Sequence, residues 1–187
     1  MRHKTIAILG VDGSGKSTAI RHVSRALGDQ CVVQYMGHKD FEDPRIDEWT
    51  SRKASKWNSL KIIFLTYRCY RNRYDAAVAS QKIVLFDRYV HEVWINSFGP
   101  RHILTTILYK YIFPQPAIII YLHCEAEESM RRKADIPDPE VFRAMKKRFD
   151  DCFLNNHSVF SFDTGRQDEE EIAVDILSII KKSFDAN

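Results

Sequence analysis

Apolar residues fall into short, nearly continuous runs separated by longer stretches of mixed character. The runs "TIAIL" (5–9), "CVVQY" (31–35), "KIVLF" (82–86), "AIIIYL" (117–122) and "SVFSF" (158–162) are rich in β-branched and aromatic residues, which predicts five strands. A run as unbroken as "AIIIYL" suits a sheet covered on both faces. Strands that alternate with helix-like stretches predict a doubly wound α/β domain, with a five-stranded parallel sheet between two helical layers. One such stretch, "KSTAIRHVSRAL" (16–27), follows the first strand directly.

No repeat, low-complexity tract or Gly/Ser linker interrupts the pattern, so residues 1–187 read as a single domain. The charged connection "RRKADIPDPE" (131–140), with Pro137 and Pro139, reads as a surface loop and not as a boundary. The longest apolar run near the N-terminus is Ile6–Leu9 and no segment approaches a membrane span, which predicts a soluble, cytoplasmic protein without membrane attachment. The four cysteines, Cys31, Cys69, Cys124 and Cys152, are widely spaced and read as reduced structural thiols.

Charge narrows the partners only slightly. With 28% charged residues and a net charge of +3, the balance demands neither nucleic acid nor an anionic surface. The segment "YRCYRNRY" (67–74) mixes aromatic and basic residues, but helical spacing sends Arg73 away from Tyr67 and Tyr74, so no nucleic-acid strip forms. Histidines and cysteines show no metal-ligand spacing.

The chemistry is concentrated in "ILGVDGSGKSTAIRHV" (8–23). Gly10, Gly15, Lys16 and Ser17 satisfy G-x-x-x-x-G-K-[ST], with a strand before and a helix after. Residues Gly10–Thr18, among them Gly13 and Ser14, form a loop whose amides and helix N-terminus suit phosphates. Lys16 adds a full charge and Ser17 a hydroxyl placed for Mg²⁺. The expected ligands are therefore ATP, or another nucleoside triphosphate, with Mg²⁺. No Asn-Lys-x-Asp or Thr-Lys-x-Asp guanine-reading segment is present, and a small-molecule kinase leads over a GTPase switch or an ATP-driven binding protein.

Set beside "IVLFDRYVHE" (83–92), the loop "VDGSGKST" makes the chain resemble the thymidylate kinases, which are P-loop nucleoside monophosphate kinases. Further matches are Phe64 and Arg68 in "FLTYR", the arginine-bearing lid "SMRRKAD" (lid about 130–139), and the closing strand, loop and helix "FSFDTGRQDEEEIAVDIL". The resemblance implies that Asp12 lies near the acceptor's sugar, that Arg88 grips the acceptor phosphate, and that Phe64 and Arg68 contact the base. It implies Mg²⁺ near Ser17 and Asp87, and adenine near the "DTGRQ" loop with Arg166. Because Gly13 and Ser14 carry no charge, it also implies a catalytic lid cation from Arg131, Arg132 or Lys133, with Arg132 favoured. A homodimer is compatible with this family.

Two features depart from the family pattern. The segment "VVQYMGHKDFEDPR" (32–45) lacks the usual Arg-Glu-Pro, leaving His38, Lys39 or Arg45 as substitutes, and Glu92 stands where a serine is common. A carboxylate at that position repels a phosphate unless it is paired. A kinase of a non-nucleotide hydroxyl such as a sugar is therefore the alternative acceptor class, with a non-catalytic nucleotide-binding protein as the third reading.

Overall fold

The computed structural model describes residues 3–37, 56–96, 100–133, 136 and 138–184. His38, Lys39, Arg45 and Pro137 lie outside the described residues. Five parallel strands, β1 (Thr5–Leu9), β2 (Cys31–Tyr35), β3 (Ile83–Asp87), β4 (Ile118–His123) and β5 (Val159–Asp163), form one sheet in the order β2-β3-β1-β4-β5. Its helices are α1 (Lys16–Leu27), α2 (Lys56–Val78), α3 (His91–Ile95), α4 (Pro100–Thr106), α5 (Ala126–Arg132), α6 (Pro139–Phe153) and α7 (Glu169–Phe184). The predicted α/β class and doubly wound parallel sheet are thus the observed architecture. A π-helical turn, Ile107–Ile112, extends α4.

The alternation of β1 explains the two layers. Ala7 and Leu9 face a core built by Tyr70, Tyr74 and Ala77 of α2 together with Phe142, Phe149 and Phe153 of α6. Ile6 and Ile8 face the opposite core, where Ala19, Ile20 and Val23 of α1 meet Ile172, Ala173, Ile176 and Ile180 of α7. Every residue of β1 is buried, as expected of a central strand covered on both sides. Among the described residues no helix is long and apolar enough to cross a membrane. All four cysteines are free, with Cys124 buried.

Strands β1 and β3 are neighbours, pairing Ile8 with Asp87. The chain leaves β1 through α1 on one face of the sheet and leaves β3 toward α3 on the other. Such a divergence opens a crevice at the carboxyl edge, where ligands of open α/β sheets bind.

Candidate active site

A cavity of about 670 Å³ occupies this crevice, lined by Asp12, Gly13, Gly15, Lys16, Ser17, Thr18, Tyr35, Asp87, Arg88, Glu92, Arg132, Lys133 and Glu169. Its floor is the turn between β1 and α1. Gly13 and Gly15 have φ of 80° and 85°, the left-handed region that only glycine enters without strain. A Cβ on Gly13 would collide with the carbonyl oxygen of Ser129 in α5, so the turn is pressed directly against that helix. Ser14 is fully buried and its Oγ has no hydrogen-bond partner. Gly10, buried at the start of the turn, does not line the cavity.

Lys16 opens α1 and is only 6% exposed. Its Nζ donates to the carbonyls of Gly10 (2.8 Å) and Val11 (2.7 Å). Burial, reinforced by the Arg88 charge, pulls its pKa down to about 8, against the pull of Glu92, Asp12 and Asp87. A cation held this way, at a helix N-terminus and beside turned backbone, is poised for a polyanion.

The end of β3 supplies the second half of the site. Arg88 has φ 67°, a conformation that costs a non-glycine residue about 1–2 kcal/mol. Its backbone amide donates to the Ile8 carbonyl at 3.1 Å, which fixes the bend against β1. The Arg88 side chain is shared between two carboxylates. Nη1 donates to both oxygens of Glu92 (2.9 and 3.0 Å), and Nη2 donates to Asp12 Oδ1. Lys133 Nζ lies 3.1 Å from the other Asp12 oxygen. Burial alone would raise the Asp12 carboxyl, but Arg88, Lys133 and Lys16 hold it below its usual value. At Asp87 and Glu92 burial wins over the neighbouring cations and raises both carboxyls. Glu92, flagged in the sequence as repulsive unless paired, is paired with Arg88.

The third contribution comes from α5 and the residue after it. Arg132 donates through Nε to Glu128 (2.7 Å) and through Nη1 and Nη2 to Thr164 Oγ1 (3.1 Å) and the Thr164 carbonyl (2.9 Å). Arg131 instead points outward, 75% exposed and paired with Glu128. Of the three candidate cations, Arg132 and Lys133 line the cavity and Arg131 does not.

The structure therefore brings together Asp12, Gly13, Gly15, Lys16, Ser17, Thr18, Asp87, Arg88 and Arg132. Besides the buried Gly10 and Ser14, three candidates lie outside the lining: Phe64 is 67% exposed on α2, Arg68 is exposed one turn on, and Arg166 is 84% exposed with an ion pair to Asp163. Sequence reading missed Tyr35 and Glu169. Tyr35 ends β2 and pairs with Asp87 in register, so the carboxyl-edge rule applied to every strand would have found it. Glu169 begins α7 and carried no comparable signal.

The profile of the thymidylate kinase family matches residues 8–176. The chain belongs to the thymidylate kinase family. Its fold is also that of several solved structures. The thymidylate kinase from Candida albicans is 19% identical, with a TM-score of 0.67, covering 97% of this chain and 92% of that one. Deoxyadenosine kinase from M. mycoides, solved with dCMP and dCDP, is 18% identical with a TM-score of 0.65, covering 95% and 99%. The same enzyme with dATP is 18% identical with a TM-score of 0.64, covering 93% and 99%. At these identities the likeness speaks for the fold. No curated protein matches the chain in sequence. Family membership makes the protein a phosphotransferase of the nucleotide-kinase kind.

Proposed function

We propose that the protein is a cytoplasmic, ATP- and Mg²⁺-dependent kinase that phosphorylates a nucleoside monophosphate, with thymidylate converted to its diphosphate. The observation that carries this reading is the meeting of Lys16, Ser17, Asp87, Arg88 and Arg132 around one cavity. These are the groups that positioning and charge compensation of a phosphoryl transfer require.

The turn from Gly10 to Thr18 holds the donor phosphates through its amides and Lys16. Ser17 and Asp87 fit Mg²⁺, a hard cation commonly bound by one or two protein oxygens together with substrate phosphates. When bound, the ion offsets charge on the phosphates. Arg88 presents the acceptor phosphate beside Asp12. Arg132, tied to Thr164, supplies charge to the transferring group in the manner of a lid residue. We assign the segment at about 130–139 to the lid of a single domain, which excludes water as a competing acceptor when closed. Phe64 and Arg68 stay as proposed base contacts on the family resemblance, and Arg166 as a proposed adenine-side residue.

One observation favours a second reading. Asp87 and Glu92 are carboxylates raised by burial at the acceptor end, as suits a base for a neutral hydroxyl. A panel of nucleoside monophosphates, nucleosides and free sugars, assayed for ADP release with ATP and Mg²⁺, separates the two. The proposal expects turnover with thymidylate above every free sugar. Turnover confined to hydroxyl acceptors would transfer the assignment to the second reading.

A further inference from the structure

The acceptor end of the cavity contains its own anion. Arg88 is fixed at its base by the bond to Ile8 and by its left-handed backbone, so its guanidinium projects from one defined point. Two carboxylates already meet the terminal nitrogens. Both Glu92 oxygens accept from Nη1, and Asp12 accepts from Nη2. A phosphate gripped in the usual two-pronged manner needs a parallel pair of N–H donors on one edge of the guanidinium. On the Nη1–Nη2 edge that pair is taken.

The two carboxylates are not equivalent. Asp12 is also bonded by Lys133, so its charge is offset from a second side. Glu92 stands on α3, one helical turn beyond Arg88 in sequence, and is held through both its oxygens. With both its oxygens on Nη1, it occupies one of the two donors that a phosphate gripping this edge would need, while Asp12 occupies the other.

We propose that Glu92 is an intramolecular stand-in for the acceptor phosphate: it occupies Arg88 until an acceptor displaces it, and thereby sets which anions the site accepts. A bare phosphate ion brings nothing except its charge and cannot outcompete a carboxylate tethered four residues away. An acceptor with further contacts, such as a sugar and base, can. Glu92 is thus a specificity-determining residue that keeps small inorganic anions off Arg88. This rests on the monophosphate reading above, but the anion-exclusion step can be measured separately.

The test uses inorganic phosphate as the probe, titrated calorimetrically into the full-length protein saturated with Mg²⁺ and a non-hydrolysable ATP analogue, so that the Lys16 cradle is filled. Glu92→Gln keeps the shape and one hydrogen bond but removes the charge. Removing a charge-assisted pair predicts phosphate binding at least tenfold tighter than in wild type. Glu92→Ser serves as a second variant that breaks the pair in a different way. The gain should vanish in Glu92→Gln/Arg88→Ala. Unchanged phosphate affinity in both single variants, or a gain that survives loss of Arg88, would overturn the proposal. In turnover, the same release should appear as a lower KM for thymidylate. A collapse of kcat by about a hundredfold without a fall in KM would instead identify Glu92 as a base, also overturning it. If wild type phosphorylates no monophosphate at all, the acceptor reading falls, while the calorimetric result still decides the role of Glu92.

Discussion

Replacing Gly13 by alanine probes the seam between the phosphate-binding turn and α5. Gly13 and Gly15 share nearly the same left-handed backbone, with φ of 80° and 85°, so an alanine at either position bears a similar conformational cost of about 1–2 kcal/mol. Their surroundings differ. At Gly15 the nearest atom to a new Cβ is a Thr164 methyl at 3.5 Å, an ordinary contact. At Gly13 the methyl would collide with the backbone carbonyl of Ser129, with two further Ser129 backbone atoms at 3.0 Å. Ser129 is fully buried and its Oγ lies 3.1 Å from Cys124 Sγ, so α5 has little room to retreat. Overpacking of this kind adds about 1–3 kcal/mol. Gly13→Ala should therefore be less stable than Gly15→Ala by that amount. In urea denaturation without nucleotide, an m-value of about 2 kcal/mol per M puts its midpoint roughly 0.5–1.5 M lower. Coincident midpoints would refute the claim that α5 is packed directly on the turn.

Other expectations follow from single groups. Arg132→Ala should lower kcat by about a hundredfold or more with little change in the KM for ATP, whereas Arg131→Ala, at an outward-facing position, should be nearly silent; steady-state kinetics of both variants checks the assignment. Lys16, with a folded-state pKa near 8 against an ordinary 10.5, binds its proton less tightly folded than unfolded. Wild-type stability should therefore gain up to about 1.4 kcal/mol per pH unit from this group as pH rises above 8; denaturation at pH 7.5 and 9.5 should show the gain in wild type and not in Lys16→Met. His91 is buried against Tyr89, Trp94 and Phe153 with Nδ1 unpartnered, and burial, with help from the Lys110 charge, lowers its pKa from 6.5 to about 4. Its contribution should be lost as pH falls from 6.5 toward 4, about 2 kcal/mol by pH 5, and His91→Phe should show a shallower acid-side loss in the same denaturation assay.

The central strands were legible because burial leaves a nearly continuous apolar run, the half-exposed edge strands β2 and β5 through their β-branched and aromatic residues, and β1 and β2 begin and end where the runs do. For β3, β4 and β5 the pattern stops one residue early, at Phe86, Leu122 and Phe162. The ladders continue to Asp87, His123 and Asp163. These polar ends reach the carboxyl edge of the sheet, so apolar patterning ends just where site residues begin. The phosphate turn was legible because its chemistry is local: turn, lysine and hydroxyl fall within one short segment. The contacts of Asp12 with Arg88 and Lys133 were not, since they join three loops distant in sequence. Nor was the left-handed backbone of Arg88, a conformation that a non-glycine residue type does not announce. Phe64 and Arg68 were drawn from the family resemblance; their spacing puts them on a common edge of α2 but does not fix whether that edge faces the cavity.

The central claim is that this cavity moves a phosphoryl group from ATP to the phosphate of a nucleoside monophosphate. The most direct measurement follows the purified protein with ATP, Mg²⁺ and thymidylate by ³¹P NMR, with Lys16→Ala as the control. A nucleoside diphosphate signal from thymidylate should grow in equal amount with ADP and be absent in the Lys16 variant. ADP accumulating while the thymidylate resonance stays intact, or equal turnover in the Lys16 variant, would contradict it.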